Sequence, residues 1–150
     1  MSALYTLTNP VFRSFLFYAV ASVLKMMAMS LLTSRQRFRK GAFANPEDIR
    51  PSKGKKIEPT FSDPDVERVR RNHLNDIENV VPFVLIGFCY TACNPAISTA
   101  LWHFRVFFFS RLFHTFAYQV PFPQPSRALG FIVGLVATLS MAVQILLQVY

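Results

Sequence analysis

Apolar and polar positions alternate in long blocks along this chain. Residues 11–33 are apolar apart from Arg13 near the start and Lys25 well inside. Arg35, Arg37, Arg39 and Lys40 follow, and then a loop rich in Pro, Gly and Lys to about residue 63, where Phe43 and Phe61 are candidates to dock on a bundle. A second helix starts clearly. Ser62 or Asp63 can cap it, Pro64 suits the first helical position, and Asp65 and Glu67 sit where the helix dipole favours acids. Its first half, ERVRRNHLNDIEN, is strongly polar and its second, VVPFVLIGFCYTA, is fully apolar, with Pro82 a candidate kink. Asn94-Pro95 predicts a tight turn and a new cap. The pattern therefore predicts helices over about 11–33, 64–92, 95–119 and 125–149, with a loop over about 34–63.

Composition turns these helices into membrane spans. Of 150 residues, 52% are apolar and 16% charged. No Lys, Arg, Asp or Glu occurs in 79–104 or in 128–150. Each run matches the ~20 residues a helix needs to cross a bilayer. An ordinary soluble domain, a disordered chain and a disulfide-stapled secreted module are excluded. Five glycines and few turn signals argue against a transmembrane β-barrel. Residues 11–33 are too long for a cleaved signal's apolar core and run directly into basic residues, so they read as a retained anchor.

The net charge of +8 raises nucleic acid as a partner, but its distribution removes it. Eleven of the sixteen Lys and Arg lie in 35–71, while the first ten residues and the last twenty-three carry none. That is the positive-inside bias of a membrane protein. It places 35–71 in the cytosol and both ends on the other side, which demands an even number of spans. No aromatic-interleaved RNA motif is present. Cys89 and Cys93, four apart in an apolar run, read as free, buried thiols rather than a metal site.

Ionisable residues within spans need partners, because each costs about 2.5–3.5 kcal/mol at a helix centre. Lys25, Asp76, Glu78, Arg105 and Arg111 are such residues, and they should pair or face a polar cleft. Arg71, Asn75 and Glu78 are spaced for one face of the second helix. Arg111, His114 and Tyr118 are spaced for one face of the third. Arg127 opens the fourth helix at the same level, so three polar stripes should converge at one depth. Lys25 with Asp76 reads as a structural pair. The surplus of cations suits a ligand with carboxylates, one ammonium and a reactive thiol. Arginines grip carboxylates, Glu78 takes the ammonium, and Arg127 near a helix N-terminus favours a thiolate. Interhelical salt bridges that merely hold the bundle are the plainer reading of the same spacing.

The blocks FANPED (43–48), DPDVERVRRNHLNDIENVVPF (63–83), HFRVF (103–107), RLFHTFAY (111–118) and PFPQPSRALGF (121–131) resemble the membrane-associated eicosanoid and glutathione metabolism (MAPEG) family. The resemblance implies an all-α integral membrane protein, a four-transmembrane-helix bundle assembled as a homotrimer, with one such domain over 1–150. It implies glutathione as co-substrate, held between subunits on the cytosolic side, and no metal. Arg37, Arg70, Arg71, His73, Glu78 and Tyr118 match glutathione-binding positions of the family's transferases. Asn75, Arg111 and His114 match further lining positions. Arg127 matches the arginine assigned to the thiolate. Prostaglandin-isomerising members carry a Ser, a Tyr and an Arg where this chain has Ala128, Phe131 and Leu74, which favours the transferase branch. Mammalian transferase members have a Cys where this chain has Ile49. The non-catalytic member lacks most of the glutathione-site residues that are kept here. The resemblance thus implies conjugation of glutathione to hydrophobic electrophiles, with peroxidase activity toward lipid hydroperoxides. The implied location is the endoplasmic reticulum membrane and also the mitochondrial outer membrane. The alternatives are a glutathione-dependent prostaglandin E synthase and a lipid-binding scaffold.

Overall fold

The computed structural model describes residues 4–49 and 58–150. These form four helices: α1 (Pro10–Lys40), α2 (Pro64–Ala92), α3 (Ile97–Gln119) and α4 (Ser126–Val149), with a single 3₁₀ turn at Pro46–Asp48. No strand occurs among the described residues. Asn9 caps α1 by accepting from the Val11 and Phe12 N–H groups, and Asp63 caps α2 by accepting from Asp65 and Val66.

Two boundaries differ from the pattern of the sequence. The first helix does not stop at residue 33. Arg35, Arg37, Arg39 and Lys40 end an apolar run, but they are good helix formers. The helix continues until Gly41, whose φ of 62° suits glycine, and the Ala42 N–H closes on the Arg37 carbonyl at 3.1 Å. With 31 residues, α1 is about 46 Å long and overshoots the ~30 Å hydrocarbon layer. The third helix starts at Ile97 rather than 95. Asn94 takes a positive φ of 47° in the turn, and Ala96 occupies the cap position without a side-chain bond. Pro82 lies inside α2, which continues past it.

The helices form a four-cornered bundle. α1 packs on α2, α3 on α4, α1 on α3 and α2 on α4, with α2 and α3 meeting across the diagonal. The apolar core includes Val11, Phe15, Val80, Phe83, Phe104, Phe107 and Met141. The Phe83 and Phe107 rings stack at 3.8 Å. Phe15 lies over Gly87, where a Cβ would fall 2.5 Å from the ring. One polar tie joins three helices near the end where α1 and α3 begin. Tyr90 donates to Gln144 at 3.0 Å, and His103 Nε2 lies 3.0 Å from Ser140 and 3.3 Å from Gln144.

Much of the outer surface is apolar. Phe17, Leu24, Leu31, Trp102, Leu129 and Leu147 all stand exposed. Lipid solvates such groups without the cost they would incur in water. α1 and α4 are each long and apolar enough to cross a membrane by length and composition; α2 and α3, interrupted by polar groups, do not meet that measure. Cys89 is exposed and Cys93 half-buried, so the expectation of buried thiols does not hold. Cys89 lies on the outer face of α2, and Cys93 is the residue that ends the helix.

At the opposite, basic end, Lys40 of α1 pairs with Asp65 of α2 at 2.5 Å. That bond and the ammonium charge hold the Asp65 carboxyl below the usual carboxylate range. Phe43 packs edge-on against Phe38, whereas Phe61 stays exposed.

Candidate functional site

Asp76 is fully buried and is the anchor of the polar interior. Lys25 Nζ lies 2.6 Å from both of its carboxylate oxygens, so the pairing expected from the sequence is present. The same carboxylate also accepts from Arg111 Nη2 at 2.8 Å. Asp76 is thus shared by two cations from two other helices. Arg111 Nη2 also donates to Asn75 Oδ1 at 2.7 Å and approaches His114 Nδ1 at 3.2 Å.

From this triad the polar side chains climb α3 toward the basic end. The His114 and Tyr118 rings lie 5.2 Å apart. The Arg127 guanidinium, in the first turn of α4, sits over the Tyr118 ring at 4.8 Å from its centroid. That is within cation–π range. Arg111 Nε and Nη1 and Arg127 Nε are buried N–H donors with no protein acceptor. Buried donors left in that state are costly, so the row is suited to an acceptor-rich ligand.

The stripes of the sequence therefore converge only in part. Arg111, His114, Tyr118 and Arg127 form one continuous row, with Asn75 joined to it. Arg70, Arg71 and Glu78 stand exposed on the outer face of α2, and His73 is half-buried beside them. Arg70 is gripped by Glu67, its Nε 3.0 Å from both carboxylate oxygens. Arg37 donates to the Ala42 carbonyl at 3.2 Å and helps line a cavity of about 430 Å³ with Ser34, Phe38, Phe43, Glu47 and Asp48. The reason for the split is helical phase. Val69, Asn72, Asp76, Asn79 and Phe83 form the buried stripe of α2, and Arg70, Arg71 and Glu78 fall beside it, turned out of the bundle. Arg105 makes a larger departure. It neither pairs with a carboxylate nor faces a cleft, but lies exposed, bonded to Tyr18.

Two glycines that the reading of the sequence passed over set the position of the row. Gly130 and Gly134 are buried on the face of α4 turned to α3. A Cβ at Gly130 would lie 3.1 Å from His114 Cβ and 3.2 Å from its Cα. Backbone cannot swing aside, so α4 would have to back away. Gly130→Ala is expected to destabilise by about 1–3 kcal/mol and to lower the temperature at which the detergent-solubilised bundle loses its helical circular dichroism. Gly134→Ala should be milder, because its nearest neighbour, at 2.8 Å, is the Ser110 hydroxyl, which can rotate. The spacing of four between them was the available clue.

No group of His, Cys, Asp and Glu among the described residues is arranged to hold a metal ion. The sequence model of the MAPEG family matches residues 15–147. Microsomal glutathione S-transferase 1 of Mus musculus is 49% identical over 142 residues, covering 92% of this chain and 90% of that protein. The Homo sapiens protein of the same name is 48% identical over 140 residues, with the same coverage. Prostaglandin E synthase of Homo sapiens is 39% identical over 140 residues, covering 93% of this chain and 91% of that protein.

Proposed function

The chain belongs to the MAPEG family, and from that premise we propose that it is a membrane-bound glutathione transferase. It conjugates the glutathione thiolate to hydrophobic electrophiles and reduces lipid hydroperoxides to alcohol and water, two glutathione molecules being oxidised to the disulfide. All four helices cross the bilayer. The 35–71 segment and the site face the cytosol, and both ends lie on the other side. One MAPEG-type domain spans 1–150. The endoplasmic reticulum and mitochondrial outer membranes are its locations.

The observation that carries this reading is the placement of Arg127. A guanidinium sits in the first turn of α4, over Tyr118, with its buried Nε unpartnered. A fixed cation beside a helix N-terminus, away from bulk water, is a setting that lowers a thiol's pKa. Arg37, Arg70 and Arg71 hold the peptide's carboxylates, and Glu78 holds its ammonium. His73, Asn75, Arg111, His114 and Tyr118 line the remainder. Arg70, Arg71 and Glu78 point away from their own bundle, which suits a site walled by a neighbouring copy in the homotrimer that the family resemblance implies. The thiol proton passes to solvent. The sulfur then bonds to the electrophilic carbon of a substrate arriving through lipid, and a leaving group such as halide departs with its electron pair.

The test uses protein purified in detergent. Glutathione is added, thiolate absorbance in the ultraviolet is recorded, and a model aryl halide follows. A thiolate signal that the halide consumes supports the transferase. A thiolate without turnover moves the assignment to endoperoxide isomerisation, in keeping with the prostaglandin E synthase relatives. Ala128 and Phe131, which lack hydroxyls at those positions, weigh against that second reading. Absence of any thiolate would overturn both and leave the polar row as a structural feature.

A further inference from the structure

We propose that Arg105, with Tyr18, seats the phosphate of an anionic phospholipid in the leaflet opposite the basic segment; this rests on the membrane reading above but not on glutathione chemistry. The outer stripe of α3 exposes Trp102, Arg105, Phe109, Phe113 and Phe116. Arg105 is the one charge in it. Its Nε donates to the Tyr18 hydroxyl at 3.2 Å, and it enters no ion pair among the described residues. A cation on a lipid-facing surface requires an anion within reach.

This chain has no side chain to supply one. All eight Asp and Glu lie in 47–78. Arg105 is eight residues into α3 from Ile97, so about 12 Å from that helix end. Glu78, the acid nearest that end, is fourteen residues short of Ala92, the last residue of α2, and so about 21 Å away. A second copy related by an axis normal to the membrane carries its carboxylates at those same depths. Its nearest acid therefore sits about 9 Å deeper than Arg105 and leans the other way, toward the start of α2, so the nearer anion is the phosphate layer of the leaflet itself.

The geometry favours that layer. Side chains on a helix lean toward its N-terminus, and α3 begins at the end opposite the basic segment. Arg105 thus leans toward those headgroups, its stem lying along apolar surface. Tyr18 is eight residues into α1 from Pro10, level with Arg105. Tyr18 is held by the rings of Phe17 at 5.1 Å and Phe108 at 5.8 Å. Its oxygen accepts from Arg105, which leaves its own proton to donate to a phosphate oxygen. Phe17, Trp102 and Phe109 offer apolar surface for the acyl chains.

The experiment is native mass spectrometry of the protein released from bilayer discs of equal parts phosphatidylglycerol and phosphatidylcholine. Wild type is expected to retain phosphatidylglycerol in preference. Arg105→Gln should lose about fivefold of that preference, the effect of one cation at a charged membrane surface. Arg105→Lys should keep part of it, and Tyr18→Phe should lose less than Arg105→Gln. The glutathione thiolate signal should be equal in all of them, which separates failure here from failure of the transferase reading. Equal retention by wild type and Arg105→Gln would overturn the proposal. So would loss of the oligomer in Arg105→Gln with lipid per chain unchanged, which places Arg105 against another copy. Should Arg105→Gln fail to fold, Tyr18→Phe and Arg105→Lys decide the matter.

Discussion

Asp76→Ala is expected to destabilise the bundle by about 3–5 kcal/mol, the usual cost of stripping one partner from a buried ion pair. Asp76 is fully buried and Arg111 only 1% exposed, while Lys25 retains 11% of its side-chain surface. Removing the carboxylate leaves two cations facing each other across α1 and α3, with Arg111 still bonded to Asn75 but no carboxylate to offset either charge. Asp76→Asn keeps the shape and one acceptor oxygen and should fall between. The measurement is the rate of thermal inactivation in detergent, read as loss of the glutathione-dependent thiolate. Replacing the triad together, as Lys25→Met, Asp76→Leu and Arg111→Met, should recover much of the lifetime judged by helical circular dichroism, because an apolar trio has no desolvation to offset. An Asp76→Ala protein as durable as wild type would mean that the triad contributes nothing to the fold.

Arg127→Ala is expected to abolish most thiolate formation while leaving glutathione bound. A free thiol near its ordinary pKa is only a few per cent ionised at neutral pH. Lowering the pKa by about two units makes it mostly thiolate, for roughly 2.7 kcal/mol. Loss of that stabilisation should reduce kcat/KM by about 25-fold at neutral pH, with KM for glutathione changing far less because its other contacts persist. The deficit should shrink as pH rises toward the free thiol's range, since solvent then supplies the thiolate. Arg127→Lys keeps a charge but loses the planar group over Tyr118, and should retain part of the activity. An undiminished thiolate absorbance in Arg127→Ala would remove the role assigned to this residue.

These two positions differ in how far the sequence exposed them. Arg127 was legible as a cation opening a charge-free helix, and Asp63 as a cap followed by Pro64. The Lys25–Asp76 pair was legible because a buried cation demands a carboxylate and few are within reach. Arg111 as the third member of that group was not, since its spacing joins it equally well to His114 and Tyr118. Arg70, off the polar stripe of α2, was legible as surface charge; the exposure of Arg71 and Glu78 was not. Their spacing from Asn75 is compatible with a shared face, and only the packing of α2 against α1, α3 and α4 decides which edge of that face is closed.

What the sequence determined alone was local and one-dimensional: which stretches are helical, which avoid charge, where basic residues stop a span, and which ionisable groups stand in need of partners. Those follow from covalent order and from transfer energies, which act on each segment whatever its neighbours do. It placed Arg105 among the groups that must pair, but not on the outside. The tertiary structure decided the rest: that one carboxylate serves two cations, that Gly130 and Gly134 bring α4 against His114 and Ser110, and that Arg105 faces outward with Tyr18. Each depends on the rotation of one helix against another. Rotation is set by side-chain packing over the whole contact, where a methyl group at Gly130 is enough to move it.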